Sequence, residues 1–149
     1  MLGENQGSDD PIHRYTRLRA ITEGILVDVT GPARGLGFRI GTCISRSVWD
    51  RFIAPESEPG PRLIAKRIGD TLRPLHFDMA CLPRMKEAWR LIDAGEDPRA
   101  DAGPPEGSRH HLAVTYCHDG EDINPVLLVN IGPDDEGEPC LTIGLPEDF

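Results

Sequence analysis

The chain has 149 residues, a length that predicts one domain, and its 38% hydrophobic content is ordinary for a globular protein. All sixteen Lys and Arg residues precede position 110, and sixteen acidic residues in the same part of the chain balance them. The last forty residues contain nine acidic residues and no Lys or Arg, so they account for the whole net charge of −9. This distribution argues against nucleic-acid binding by the C-terminal half, because phosphate contacts need cations. No apolar run reaches the roughly 18 residues of a membrane helix.

The first elements are predicted from local patterns. The polar residues 1–14 predict a disordered leader and lack the apolar core of a secretory signal. Residues 15–24 predict a short helix that ends at Gly24, because glycine readily takes the left-handed conformation that follows helices. Residues 25–30 predict a strand with alternating β-branched residues. The segment GPARGLG (31–37) predicts a turn or short helix.

The next two segments predict a strand and a helix. Residues 39–45 form a weak strand, which we expect at an edge of the sheet. In SVWDRFIA (47–54), the apolar residues have the spacing of a buried helical stripe. Ser47 lies three residues before Asp50, which resembles a capping box and predicts the start of that helix at Ser47.

Two longer helices are predicted in the middle of the chain. RLIAKRIGDTLR (62–73) has Ile and Leu residues four apart, and the helix should end there because Pro74 disrupts helical hydrogen bonding. LPRMKEAWRLIDAG (82–95) also has apolar residues at helical spacing. Residues 96–109 are rich in Pro, Gly and Asp and predict a mobile loop.

The C-terminal third predicts strands. Residues 110–119 and 124–132 have strand-forming composition, and the second should be central because it is apolar on both faces. Residues 140–146 predict the next strand, connected through a hairpin loop at 132–139. We therefore predict a single α+β domain over residues 15–149, with an antiparallel sheet of about four to five strands and helices packed on one face.

Three stretches have distinctive motifs: YTRLRAITEGILVDVTGPARGLGFRI (15–40), CISRSVW (43–49) and LLVNIGPDDEGEPCLTIGLPEDF (127–149). Together they resemble an uncharacterised family of bacterial plasmid and phage proteins, which is catalogued as a domain of unknown function. The middle of the chain departs from that family, in which a tryptophan-rich helix commonly separates the two main blocks. The resemblance implies a bacterial, mobile-element context and no particular activity.

The segment HHLAVTYCH contains residue types that bind metals, namely His110, His111, Cys117 and His118. In a strand, His111 and Cys117 would lie roughly 20 Å apart at about 3.3 Å per residue. A tetrahedral zinc site needs its ligands within about 2.0–2.3 Å of one ion, so this stretch alone predicts no metal site. Cys140 from another strand is an open alternative as an additional ligand. We predict no cofactor.

Asp28 interrupts an otherwise apolar strand. A carboxylate beside a core needs a partner, and Arg39 or Arg46 from the next strand is a candidate. Two interpretations stay open: Asp28 is a catalytic or binding acid in a cleft, or it is a strand residue that is solvated or structurally paired. In the first interpretation the protein is an enzyme. Its active site would be an unrecognised one, because the chain has none of the common nucleotide-binding or hydrolase motifs.

The predicted hairpin loop carries Asp134, Asp135, Glu136 and Glu138. Their spacing lacks the alternating acids and glycine of an EF-hand loop, so we predict no calcium site. The acids form either a solvated loop tip or a surface for a basic protein partner. We favour a small non-enzymatic binding or regulatory module whose acidic C-terminal hairpins contact a basic protein. Mimicry of nucleic acid is the strictest version of this hypothesis.

The remaining predictions concern the rest of the surface. Arg62, Lys66, Arg67 and Arg73 form a basic helical strip, which we interpret as a solvated face rather than a phosphate site. The four cysteines are far apart, which predicts reduced thiols and a cytoplasmic location. A homodimer formed through a sheet edge or a helix face is a further alternative.

Overall fold

The computed structural model describes residues 17–82, 86–87, 90–91, 94, 109–133, 135–136 and 138–149. The predicted leader (1–14) lies outside these ranges, and so does the predicted loop (96–109) except for Arg109, which begins a strand. Much of the predicted helix 82–95 also lies outside them. Within that segment, the described residues 86–87 and 90–91 are helical.

The elements follow the chain in a mixed order of helices and strands. They are helix α1 (Arg17–Thr22), strand β1 (Leu26–Asp28), helix α2 (Thr30–Gly35), strand β2 (Gly41–Ser45), helix α3 (Arg46–Val48), a π-helix (Trp49–Ile53) and helix α4 (Pro61–Cys81). They continue with strands β3 (Arg109–Ala113), β4 (Tyr116–His118), β5 (Glu121–Ile123), β6 (Val126–Pro133) and β7 (Pro139–Gly144), and end in a 3₁₀ helix (Pro146–Asp148).

Five strands form one sheet in the order β1-β2-β7-β6-β3, and β4 and β5 form a separate two-stranded sheet. The pairs in the large sheet are antiparallel except β2–β7, which is parallel. The predicted α+β class and strand number are confirmed, and so is the central position of β6. The expected edge position of residues 39–45 is wrong, because β2 lies between β1 and β7. Residues 42–45 are buried, as expected for a strand with neighbours on both sides.

The predicted strand 110–119 is in fact part of two different sheets. It breaks after Ala113, and the chain then forms the β4–β5 hairpin. Asp119 and Gly120 at the hairpin turn have φ of 52° and 83°, the positive values that a two-residue type I′ turn requires. The Asp-Gly pair was therefore a hairpin signal in the sequence.

The start of the helix that follows β2 also differs from the prediction. Ser45, not Ser47, caps it: the Ser45 side chain accepts a hydrogen bond from the backbone N–H of Val48 at 3.3 Å. The predicted capping box between Ser47 and Asp50 is wrong. Ser47 instead donates its hydroxyl hydrogen to Asp148 near the C-terminus, at 2.7 Å.

Helix α4 continues through Pro74 to Cys81, so the predicted end of this helix before Pro74 is wrong. A proline inside a helix costs about 3 kcal/mol. Leu72, Leu75 and Met79 lie on both sides of Pro74 and are all buried, and burial of each such side chain contributes about 1.5–3 kcal/mol. The burial of this stripe offsets the loss at Pro74, and the helix remains continuous.

The main core lies between α4 and one face of the large sheet. Alternating residues of β6 and β7 (Val129, Ile131, Leu141 and Ile143) supply that face, and Ala33 of α2 packs into the same cluster. This side-chain alternation is the expected result of the two-residue strand period. Among the described residues, no helix has both the length and the apolar composition needed to cross a membrane.

Candidate binding groove

Asp28 is exposed and acts on its local backbone. Its carboxylate accepts hydrogen bonds from the backbone N–H of Thr30 at 2.9 Å and from the Thr30 hydroxyl at 2.6 Å. Thr30 is the first residue of α2, so Asp28 stabilises the entry into that helix. The proposed partner Arg46 has other contacts: it donates to the Gly24 carbonyl at 3.0 Å and lies 3.9 Å from Asp50.

The acids of the β6–β7 hairpin have different environments. Asp135 accepts hydrogen bonds from the backbone N–H groups of Arg17 at 2.7 Å and Leu18 at 3.0 Å, at the start of α1. It therefore serves as a helix cap, which joins the hairpin to α1. Glu136 and Glu138 are exposed. Asp134 lies outside the described residues, so its predicted role in partner binding stays a prediction.

The acidic residues of the C-terminal part are divided between two hairpins. Glu121 and Asp122 are exposed on the β4–β5 hairpin, and Glu136 and Glu138 are exposed on the β6–β7 hairpin. These hairpins adjoin opposite ends of β6, which has 8 residues and spans about 26 Å. A partner that contacts both hairpins therefore needs an extended basic surface.

The structure separates the predicted metal-binding residue types. The ring of His110 contacts Asp78 of α4 at 2.7 Å, whereas the ring of His118 contacts the Phe52 carbonyl at 3.0 Å. Cys117 is exposed on the small sheet, and Cys140 is buried in the large one. Within the described part of the chain, no three or more His, Cys, Asp or Glu side chains lie close enough to hold a metal ion.

Arg67 does not belong to an exposed basic strip, which corrects the interpretation of that helical face. Its side chain is buried and forms two hydrogen bonds with the Glu56 carboxylate, at 2.7 and 2.9 Å. It also donates to the Ile53 carbonyl at 3.1 Å and to the Cys117 carbonyl at 3.5 Å. The hydrogen bonds from Arg67 lower the pKa of Glu56 to about 2. We call this set the Arg67 clamp, because it joins α4 to the π-helix and to β4.

Tyr116 reinforces the same junction. Its buried hydroxyl lies 2.6 Å from the Thr71 hydroxyl, and its ring stacks on Phe52 with 5.3 Å between centroids. Burial raises the pKa of Tyr116 to about 12. A neutral, hydrogen-bonded Tyr with a stacked ring has the features of a structural residue.

Asp148 anchors the C-terminal turn rather than forming an open acidic site. It accepts hydrogen bonds from the hydroxyls of Ser45 at 2.8 Å and Ser47 at 2.7 Å, and from the backbone N–H of Leu145 at 2.7 Å. A Cβ at Gly144 would lie 2.9 Å from the Asp148 carboxylate, so the turn needs glycine for its close approach to the sheet. A cavity of about 200 Å³ lies beside this anchor.

A larger groove of about 360 Å³ lies between α2 and α4. Its lining is mostly apolar or small and comprises Pro32, Gly35, Leu36, Pro61, Ile64, Ala65, Ile68, Gly69 and Arg73. The floor is continuous with the core, because Ile68 is buried and both Leu36 and Ile64 pack against the core cluster. We call this feature the α2–α4 groove. It presents apolar surface to solvent directly above the core.

One ridge of α4 forms a wall of the groove. Pro61, Ala65, Gly69 and Arg73 follow one another at intervals of four residues, so they lie along one face of the helix. This spacing was visible in the sequence, but its significance was missed because the opposite wall comes from α2. The small residues keep the wall low, and Arg73 supplies a cation at the C-terminal end of the ridge.

The guanidinium of Arg73 occupies the space that a side chain at Gly69 would fill. A Cβ at Gly69 would overlap the Arg73 Nη1 atom and would lie 2.9 Å from its Cζ. A glycine inside a helix costs about 1 kcal/mol relative to alanine. The Gly69 position therefore lowers helix stability and, at the same time, leaves room for the guanidinium at the groove.

No family model, curated protein or solved structure matches this chain. The resemblance to plasmid and phage proteins therefore stays a prediction that rests on the motifs quoted above.

Proposed function

We propose that this protein is a non-enzymatic binding module whose site is the α2–α4 groove, and that its ligand is a small apolar molecule. The observation that carries this proposal is an apolar groove of about 360 Å³ with a floor formed by core side chains. Ligand sites for small molecules are concave, mostly apolar and typically about 300–1,000 Å³ in volume. The groove meets these three criteria at the lower end of the size range.

The surroundings of the acidic residues also favour a binding function over catalysis. Asp28 is exposed and accepts two hydrogen bonds from Thr30, while Asp135 and Asp148 are engaged in helix capping and in the C-terminal anchor. A catalytic carboxylate is usually placed in a cleft that excludes water. The alternative of an enzyme centred on Asp28 therefore has less support than ligand binding in the groove.

A titration with octan-1-ol tests the proposal, because this neutral molecule probes the apolar lining of the groove and carries no charge that Arg73 could bind. Methyl NMR should show saturable shifts at Leu36, Ile64 and Ile68. Replacement of the exposed Ala65 by Trp should fill the groove and abolish these shifts. The matched control is Ala80→Trp, at another exposed alanine of α4 that does not line the groove.

The results separate the groove from other surfaces. Shifts that Ala65→Trp removes and Ala80→Trp preserves would support the proposal. An absence of saturable shifts at the groove methyls would overturn it, and so would equal binding by the Ala65→Trp variant.

Contact with a basic protein through the acidic hairpins is the second candidate function. The exposure of Glu136 and Glu138 favours it. The variant Glu136→Gln/Glu138→Gln should lose a basic partner that the matched variant Glu121→Gln/Asp122→Asn keeps. Equal capture by both variants would contradict a specific role for the β6–β7 hairpin. The cytoplasmic location and the mobile-element context remain predictions from the sequence.

A further inference from the structure

We infer that the ligand of the α2–α4 groove is an apolar monocarboxylate, a chain or ring with a single carboxylate that Arg73 binds. This inference rests on the proposed function, since it names the chemical class of ligand for the same groove. Three observations on the described residues carry it: the apolar lining, the position of Arg73 at one end of that lining, and the missing side chain at Gly69.

Arg73 differs from the other cations in the middle of α4. Lys66 is paired with Asp70 at 2.9 Å, and Arg67 is paired with Glu56. Among the described residues, Arg73 has no hydrogen-bond or ion-pair partner. A guanidinium presents a planar set of donors that matches a carboxylate. A bound carboxylate would thus supply the counter-charge that the described part of the chain does not.

The Gly69 backbone gives the guanidinium a defined place beside the apolar lining. All three of the nearest atoms to a Cβ at Gly69 belong to the Arg73 guanidinium group. Long side chains of a helix point back toward the residue four positions earlier, and the absence of a side chain at Gly69 lets the Arg73 guanidinium lie against the helix there. The small residue at position 69 therefore allows the cation to lie along the ridge, where it can reach a ligand in the groove.

The single guanidinium favours a carboxylate over a phosphate. A carboxylate carries one negative charge at neutral pH, whereas a phosphate monoester carries about −1.5 to −2. One arginine balances the first charge and leaves the second partly unbalanced. The apolar part of the ligand would contact Ile64, Ala65 and Ile68, which line the groove along α4.

Isothermal titration calorimetry with three probes of equal chain length tests the inference: octanoate, octan-1-ol and octyl phosphate. The expected result is that octanoate binds more tightly than the other two. Arg73→Gln should weaken octanoate binding about five- to tenfold and should weaken octan-1-ol binding much less, because the neutral probe has no charge for the guanidinium to bind. The matched control Arg62→Gln removes an exposed arginine from the same helix outside the groove, and it should change neither affinity.

Gly69→Ala provides an independent test, because it displaces the guanidinium without removing the charge or altering a folded helix. It should weaken octanoate binding about as much as Arg73→Gln does and should reduce octan-1-ol binding less, because the added methyl group is small and only the guanidinium has to move. If octanoate and octan-1-ol bind equally to the native protein, or if Arg73→Gln has no effect, the inference is wrong and the proposed function stands. Tighter binding of octyl phosphate would overturn the choice of carboxylate.

Other outcomes would overturn both proposals. If none of the three probes binds, the groove is not a site for a small apolar ligand. If the methyl shifts of Ile64 and Ile68 change with protein concentration alone, a second copy of the chain occupies the groove, and the small-molecule proposals fail.

Discussion

Arg67 and Arg73 lie on the same helix but have opposite surroundings. Arg67 is buried and makes hydrogen bonds to Glu56 and to two backbone carbonyls from distant segments. Arg73 is exposed beside an apolar groove, and the structure gives it no partner among the described residues. Arg67 therefore joins parts of the fold, whereas Arg73 is the arginine that we propose for ligand binding. Substitutions on the core face of α4 should therefore change stability, and substitutions on its groove face should change ligand binding.

The largest difference in stability should appear between the core face and the groove face of α4. Leu72→Ala removes a fully buried side chain and should lower the free energy of unfolding by about 2–5 kcal/mol. Ile64→Ala, at a partly buried residue that lines the groove, should lower it by about 1 kcal/mol. Urea denaturation measures both values. Equal losses would show that Ile64 belongs to the core, and the core face and groove face of α4 would then not differ in stability.

The Arg67 clamp should also contribute strongly to stability. Arg67→Met removes the donors for two backbone carbonyls and a carboxylate, and it should lower the free energy of unfolding by about 3 kcal/mol. The exposed Arg62→Met change should stay within about 0.5 kcal/mol. The two variants can be compared in the same urea experiment. If Arg67→Met matched Arg62→Met, the clamp would have no structural role.

A substitution at Gly69 should raise stability. Gly69→Ala adds a better helix former, and the three atoms nearest to the new Cβ all belong to the movable end of Arg73, so the free energy of unfolding should rise by about 1 kcal/mol. Thermal denaturation should show a higher midpoint. A loss of stability would mean that Gly69 serves helix packing and is not there to make room for a ligand-binding guanidinium.

The pH dependence of the clamp should be small, because the Glu56 side chain is 40% exposed and solvent screens its interaction with Arg67. The pKa of Glu56 is about 2 in the folded protein, against 4.5 for an unperturbed glutamate. Because the folded pKa is lowered, this stabilisation is complete above about pH 4.5 and is lost as the pH falls toward 2. Glu56→Gln should flatten that part of the stability profile. Glu58→Gln, on the same loop, serves as the control, and a profile unchanged by Glu56→Gln would contradict the assignment.

Local patterns in the sequence were sufficient for several elements. The run at 126–129 predicted the central strand β6, which pairs with β7 in an antiparallel hairpin as expected, although the strands extend to Pro133 and Pro139 and so include both ends of the predicted loop 132–139. Gly24 has a φ of 80° and follows α1, as its role in ending a helix predicted. Each of these features depends on residues close together in the chain, so sequence alone contains the relevant signal.

Features that depend on distant segments were not predictable. The helical spacing placed Arg67 and Arg73 in one basic strip, but only the fold brings Glu56 and the Cys117 carbonyl to Arg67. Pro74 predicted a helix end, and the burial of residues on both sides of it overrides that signal. The groove likewise needs α2 opposite α4, a contact that spacing within α4 does not show.

Among the predicted site residues, Asp135 illustrates the same limit. Its acidic neighbours suggested a partner surface, yet its carboxylate caps α1, which lies far away in the sequence. Asp28 accepts a hydrogen bond from the backbone N–H of Thr30, two residues later. Its place at the end of an apolar strand is therefore explained by the helix α2 that starts at Thr30. A carboxylate near a backbone N–H cannot be distinguished from a free one until the fold is known.

The most direct test of the account is the measurement of intermolecular NOEs between octanoate and the methyl groups of the protein. If octanoate binds in the α2–α4 groove, we expect NOEs from its terminal methyl group to the methyl groups of Ile64 and Ile68. NOEs confined to exposed apolar residues elsewhere, such as Ile25 or Val126, would place the ligand on another surface and would rule out binding in the α2–α4 groove.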